Sequence, residues 1–217
     1  MKMPFHFFKA PKANDNGKTV ILIHGLFLRG LGMYFVARYL NKFGYEARLY
    51  DYFTTRKSIA IHGIDFAKYI MKVHAEKPDR ELYIVTHSLG SIVTREALCL
   101  LEKENANFVK RVVMLAPPNK GSDAAKLAVK FIPFIGRLVK TLPELSSHKD
   151  AYIHQVSVPL KTEIGVIAAK YDNKVSRKYT HIEGEKDHTV VSISHSFIVA
   201  SRAAMKKTLN FLDEGHF

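Results

Sequence analysis

The sequence predicts a three-layer α/β/α domain on a mostly parallel central sheet, with a short helical cap inserted near its middle. Three observations carry this expectation. Continuous apolar runs rich in β-branched residues recur along the chain, they alternate with stretches of helical periodicity, and residues 121–149 break the alternation. Strands buried on both faces read as unbroken apolar runs, and parallel neighbours need crossover helices, so the alternation implies right-handed βαβ units.

The strand candidates, in order, are residues 19–24, the shorter and more polar 45–50, then 82–86, 109–116 and 164–169. Helical patterns fall at 33–43, 58–74, 91–103 and 198–212. Residues 121–149 are too long for a simple connection and hold no strand. Their centre sets Lys126, Lys130, Arg137 and Lys140 among large apolar residues, interrupted by Pro133 and Gly136. Such a segment is either a cap packing its apolar face downwards or a mobile lid offering apolar and cationic surface to lipid.

The 217 residues contain no Pro/Gly/Ser-rich divider, so a single domain spanning 1–217 is expected, and 47% hydrophobic residues suffice for one large core. One cysteine, Cys99, forbids an intramolecular disulfide and favours a reducing cytosol. The apolar patch at 3–8 is broken by Pro4 and His6 and lacks a small-residue cleavage site, so no signal peptide is read and a cytoplasmic location is expected. No apolar run approaches the roughly 20 residues of a membrane-spanning helix. The 33 basic against 20 acidic residues give a net charge of +13, which draws a protein towards anionic surfaces. The basic residues are dispersed, and zinc-finger spacing and RNA-binding aromatic signatures are missing, so no nucleic-acid partner is expected. Peripheral contact with an anionic membrane and a merely solubilising surface charge both fit. Oligomeric state is not legible.

The chemistry concentrates at Thr86-His-Ser-Leu-Gly90, where a strand pattern runs straight into a helix pattern. This is the context of the G-x-S-x-G nucleophile elbow, with Thr86 in place of the first glycine. A serine held on so tight a turn needs small neighbours two residues away on either side; Gly90 meets this fully and Thr86 less well. The turn sets Ser88 at a helix N-terminus, where amide N–H groups and the helix dipole favour developing negative charge. The competing reading makes Ser88 a helix cap. His24-Gly25-Leu26 follows the first strand, and the amides of Leu26 and Leu89 are the expected oxyanion donors. A plain tight turn at Gly25 is the alternative. A phosphate loop over 25–32 is excluded, because the Lys-Ser/Thr pair and the G-x-G-x-x-G spacing are both missing.

In this architecture the acid and then the base follow the serine along the chain. His195 directly precedes the last helix and is the expected base, with His188 as runner-up. His181, His188 and His195 recur every seven residues, but in loops that spacing is not expected to converge on a metal, and no metal or other cofactor is expected. Asp172, in a turn after the strand at 164–169, is the expected acid; Asp187 is the alternative, and Asp172 as a surface turn residue is the third reading.

From about Thr19 onward the chain resembles the small bacterial-type α/β-hydrolase esterases and lipases. The resemblance rests on ordered segments: Val-Ile-Leu-Ile-His-Gly-Leu (20–26), Asp-Tyr-Phe-Thr-Thr-Arg (51–56), Thr-His-Ser-Leu-Gly (86–90), Val-Val-Met-Leu-Ala-Pro-Pro-Asn-Lys-Gly-Ser (112–122), Ser-His-Ser-Phe (194–197) and a closing segment at 211–217. In that family an Asp-Gly-x-Val-Ser turn carries the acid, and Asp172-Asn-Lys-Val-Ser176 is similar to it, which favours Asp172 over Asp187. Departures from the family pattern are Ser91 for a common glycine, Asn173 for the glycine after the acid and Ala169 for a glycine at the strand end. The resemblance implies a Ser88–His195–Asp172 triad acting without a cofactor on a small-molecule or lipid ester of apolar acyl chain. A thioesterase or acyltransferase would use the same triad, and a catalytically silent scaffold would bind lipid or anionic membrane instead.

Overall fold

The computed structural model describes residues 7–8, 15–132 and 134–217. Most of the apolar patch at 3–8 lies outside them. The sheet holds β1 (Phe7–Phe8), β2 (Lys18–Ile23), β3 (Glu46–Tyr50), β4 (Glu81–His87), β5 (Val109–Leu115), β6 (Glu163–Ala169) and β7 (Asp187–Val191). Their spatial order is β1-β3-β2-β4-β5-β6-β7, with every pair parallel except β1 against β3. The central sheet is therefore mostly parallel, as the alternation predicts.

The interiors of β2, β4, β5 and β6 divide their side chains between two cores with period two. Ile21, Ile23, Ile84, Val112, Met114 and Val166 enter one; Val20, Leu22, Val85, Val113, Leu115 and Ile167 enter the other. The first is covered by α2 (Ile59–Glu76) and α3 (Leu89–Lys103), through Phe66, Ile70, Ile92 and Val93. The second is covered by α1 (Tyr34–Lys42) and the C-terminal helix (Arg202–Glu214), through Val36, Leu40, Phe211 and Leu212. Three layers follow, and burial of both faces explains the unbroken apolar runs.

The structure corrects the sequence reading at the margins. β7 carries no strand signal in the sequence: on an edge strand, Asp187, His188 and Thr189 remain half-buried, so no apolar run marks it. The helix expected over 198–212 is divided, with a 3-10 turn at Ile198–Ala200 and then Ser201, whose hydroxyl accepts the Ala204 amide (3.3 Å) and starts the last helix afresh.

Within 121–149 the chain forms α4 (Asp123–Phe131), α5 (Ile135–Leu138) and α6 (Thr141–Glu144); the C-terminal helix is thus α7. Only part of its apolar surface turns inward. Ala125, Leu142 and Leu145 join the core, whereas Phe131, Ile132, Phe134 and Leu138 are exposed. The segment is tied to the chain before α2, since the Thr141 hydroxyl donates to the Thr54 carbonyl (2.9 Å) and Glu144 accepts the Ile59 amide (2.7 Å). Among the described residues no helix is long and apolar enough to cross a membrane.

Candidate active site

Ser88 sits between β4 and α3 with φ 50° and ψ −123°, a conformation that L-residues adopt only when the surroundings impose it. Two close approaches impose it here. A Cβ on Gly90 would lie 2.8 Å from the carbonyl oxygens of both Ile23 and His24, and one on Gly25 would lie 2.9 Å from the Ser88 Cβ. The elbow and the end of β2 are thus pressed together, and only glycine fits at either point. Thr86 and Ser91, which stand at positions where the family pattern favours glycine, are both fully buried, and their hydroxyls bond to each other at 2.6 Å. Each satisfies the polar group the other brings into the core.

His195 and Asp172 converge on this serine. His195 Nε2 lies 3.0 Å from Ser88 Oγ, and His195 Nδ1 lies 2.7 Å from Asp172 Oδ2. The other carboxylate oxygen, Oδ1, accepts the amides of Lys174 and Val175, each at 2.8 Å, so the acid's orientation is set by its own turn. Burial alone would raise the Asp172 carboxyl, but the hydrogen bonds from His195, Val175 and Lys174 prevail and hold it below the ordinary carboxylate range. With its side chain only 2% exposed it has no competing water to solvate it.

The alternatives lie elsewhere. Asp187 spends its carboxylate on the amides of His188 and Phe217, each at 2.7 Å. His188 stacks on His181 with ring centroids 3.9 Å apart and meets the Thr180 hydroxyl at 3.0 Å. The seven-residue histidine series therefore splits. His195 goes to the serine, while His181 and His188, whose loop spacing predicts no convergence on a metal, come together beside Glu185.

Leu89 directly follows Ser88, and Leu26 lines the same pocket as Ser88. Leu89 opens α3, so its amide has no intrahelical partner. Leu26 lies in a loop pinned by groups that sequence reasoning did not single out. His24 Nδ1 contacts the Gly25 carbonyl at 3.0 Å and its Nε2 the Asp51 carboxylate at 3.1 Å; Asp51 also accepts the Gly30 amide at 3.1 Å, and the Tyr52 hydroxyl donates to the His24 carbonyl at 3.1 Å. Burial lowers the His24 imidazole against the pull of those acceptors. The only signal available was Asp51 itself, a carboxylate directly after the strand candidate at 45–50.

His87, beside the nucleophile, is a second unforeseen group. Its Nε2 meets the His195 carbonyl at 3.1 Å, and burial drives its pKa down to about 3, with His195 nearby adding to the effect. It is a neutral buried donor that anchors the backbone of the base, and its Nδ1 is without a hydrogen-bond partner among the described residues.

Above these groups opens a pocket of about 320 Å³. Leu26, Phe27, Leu28, Pro118, Leu142 and Leu145 form apolar walls, and Ser88, His87 and His195 lie at its base, with Lys174 the one charged residue lining it. The arrangement can deprotonate a hydroxyl, place it against an electrophilic carbonyl held in an apolar slot, and return the proton to a leaving group.

Solved structures similar to this chain have the same fold. They include mature Bacillus licheniformis lipase BlEst2 (TM-score 0.80, 19% identity, 99% of this chain and 98% of that chain) and Aspergillus fumigatus lipase B (0.77, 14%, 97% and 56%). The type II thioesterase YbtT of a yersiniabactin pathway is similar too (0.66, 14%, 96% of each chain). Among curated proteins nothing matches. Residues 42–177, more than half of the chain, match the model of the alpha/beta hydrolases of unknown function (DUF900), and the chain belongs to that family.

Proposed function

We propose that the chain is a serine carboxylic ester hydrolase acting on esters of apolar acyl chains. The observation that carries this reading is the continuous path Ser88 Oγ–His195 Nε2 at 3.0 Å and His195 Nδ1–Asp172 Oδ2 at 2.7 Å beneath an apolar pocket. His195 takes the serine proton as Ser88 attacks the ester carbonyl, Asp172 stabilises the imidazolium, and the Leu26 and Leu89 amides receive the oxyanion. The same histidine then protonates the departing alcohol and later activates the water that releases the acid. No step calls for a cofactor.

A volume of about 320 Å³ is near the lower end of ligand sites, which span roughly 300–1,000 Å³, and it favours short or medium acyl chains. The exposed face of residues 121–149 is assigned to contact with an anionic lipid surface. There Lys130 lies 5.6 Å from the Phe131 ring centre and Arg137 lies 5.2 Å from that of Phe134, so cationic and apolar groups are presented together.

Nitrophenyl esters of graded acyl length test the reading, together with a fluorophosphonate that labels activated serines. Hydrolysis with a preference for the shorter chains, and labelling lost in Ser88→Ala, are the expected results. An unlabelled wild type would leave a silent scaffold, and turnover confined to thioesters would reassign the leaving group.

A further inference from the structure

Outside the serine site, the described residues bring together one group of three metal-ligating side chains. His181, Glu185 and His188 each offer a donor atom, and these atoms all lie within 4.8 Å of one another. The group is built into its surroundings. Glu185 closes a turn in which its Oε2 accepts the Ile182 amide (3.1 Å) and its Oε1 meets His181 Nδ1 (2.6 Å). His188 stands on β7, and its Nε2 is 3.0 Å from the Thr180 hydroxyl, whose own proton goes to the Arg177 carbonyl at 2.7 Å. With that proton committed, the hydroxyl accepts from Nε2–H and the lone pair stays on Nδ1 of the neutral ring. A hydrogen bond behind one ring nitrogen, with the other left unprotonated, is the usual support of a metal-bound imidazole.

We propose that His181, Glu185 and His188 form a binding site for one divalent transition-metal ion of the zinc class. Two imidazoles and a carboxylate are the donors such ions take from three protein residues, leaving a fourth position for water. Tetrahedral bonds of about 2.0–2.1 Å put donors roughly 3.4 Å apart, so the present set must close by about 1.4 Å at its widest. Side-chain rotation supplies this. His181 is half exposed and rests on the rim, whereas Glu185 and His188 are held from behind. The two rings are stacked at 3.9 Å with their planes 17° apart, so both imidazoles already face one point. Neutral imidazole is the form that binds metal. On binding through His181 Nδ1, the ring proton now shared with Glu185 moves to Nε2, so the imidazole stays neutral.

The position gives the ion a purpose. His181 and Glu185 belong to the crossover that leaves Asp172, and His188 to the strand that leads to His195. A metal bridging them would staple the Asp172 segment to the His195 segment at the sheet edge. The proposal stands apart from the ester chemistry and survives its failure.

The test uses the purified full chain, stripped by a chelator, titrated with Zn²⁺ in a calorimeter and with Co²⁺ by visible absorption. One equivalent is expected to bind with micromolar or tighter affinity, to give the intense bands of tetrahedral cobalt, and to raise the Tm. His181→Ala and His188→Ala should each weaken binding by more than about 100-fold, beyond the 10- to 100-fold that outer partners contribute. His148→Ala and His195→Ala should bind as wild type does. Because His181 is half exposed, its alanine variant is the safeguard against a His188 variant that fails to fold. Failure of stoichiometric binding, or binding that persists in both variants, overturns the site; loss in His195→Ala alone would move the metal to the serine centre and overturn it equally.

Discussion

Asp172 and Asp187 are the residues on which sequence and geometry must be weighed most carefully, because both are turn-forming carboxylates within two dozen positions of His195. The 2.7 Å contact of Asp172 decides between them, and so does the engagement of Asp187 with the Phe217 amide. Asp172→Asn should therefore lower kcat by about 10⁴-fold, the cost of presenting the wrong imidazole tautomer, while Asp187→Asn changes it by less than about threefold. Steady-state rates on a nitrophenyl ester discriminate the two. His87 makes a prediction about stability. Its folded pKa of about 3 lies below the 6.5 of a free imidazole, so the unfolded chain binds the extra proton first. Its contribution is complete above pH 6.5 and is lost as pH falls towards 3, with a slope of up to about 1.4 kcal/mol per pH unit from this one group. His87→Gln, which keeps a donor for the His195 carbonyl, should flatten that fall, as read by urea denaturation at pH 7.5, 6.5, 5.5 and 4.5. An unchanged slope would show that the ring is not the titrating group. The residues that converge here, Ser88, His195 and Asp172, were legible in the sequence because an elbow, a helix start and a turn each leave a local mark. His87 and His24 were not, since a buried histidine is recognised only by what encloses it.

At the scale of elements, α3 carries more than the nucleophile's helix dipole. Arg95 on its buried face is 4% exposed, and it donates to the carbonyls of Asn119 (3.1 Å), Val156 and Ser157 (3.4 Å). Burial pulls its pKa down to about 10, so the guanidinium is kept in the core at a cost in solvation. What offsets that cost is the pinning of two loops, one of which leads from β5 to the pocket wall at Pro118 and Ser122. Arg95→Met recovers the desolvation but strands three carbonyls, each worth about 1–3 kcal/mol when buried unpaired. The second effect prevails, and a net loss on the order of 2 kcal/mol is expected by urea denaturation, with KM rising more than kcat falls; a neutral or stabilising outcome would mean that water replaces the guanidinium. In sequence Arg95 is one basic residue on an amphipathic helix, and its partners lie 24, 61 and 62 residues away. The strands read from continuous apolar runs, β2, β4, β5 and β6, are covered on both faces, and β3, the shorter and more polar candidate, is buried as well. β7 escaped because an edge strand with one open face admits Asp187, His188 and Thr189, and that same edge placement is what frees His188 to face His181.

For the whole molecule the question is where a net charge of +13 acts. The salt bridges of Lys77 and Arg48 with Glu46, of Arg80 with Asp15 and of Lys110 with Glu81 pair part of the basic excess with local acids. Around residues 121–149 the balance differs: Lys126, Lys130, Arg137 and Lys140 stand beside Phe131 (71% exposed), Phe134 and Leu138 (75% exposed). Under the proposed reading, large apolar side chains grouped this openly form a contact surface for lipid, and the interspersed cations favour an anionic one. Vesicles containing phosphatidylserine should therefore sediment the protein, whereas neutral phosphatidylcholine vesicles should not. Binding should weaken between low salt and 0.5 M salt as charges separated by more than a few ångströms are screened. Each cation at a lipid surface contributes about 1 kcal/mol, so Lys130→Gln with Arg137→Gln should lower affinity roughly 30-fold. Hydrolysis of a soluble short-chain ester should be unchanged in that variant, because neither side chain lines the pocket. Equal binding to neutral and anionic vesicles would assign the surface to apolar contact alone, and binding to neither would leave the cap as a wall of the acyl pocket with no lipid partner.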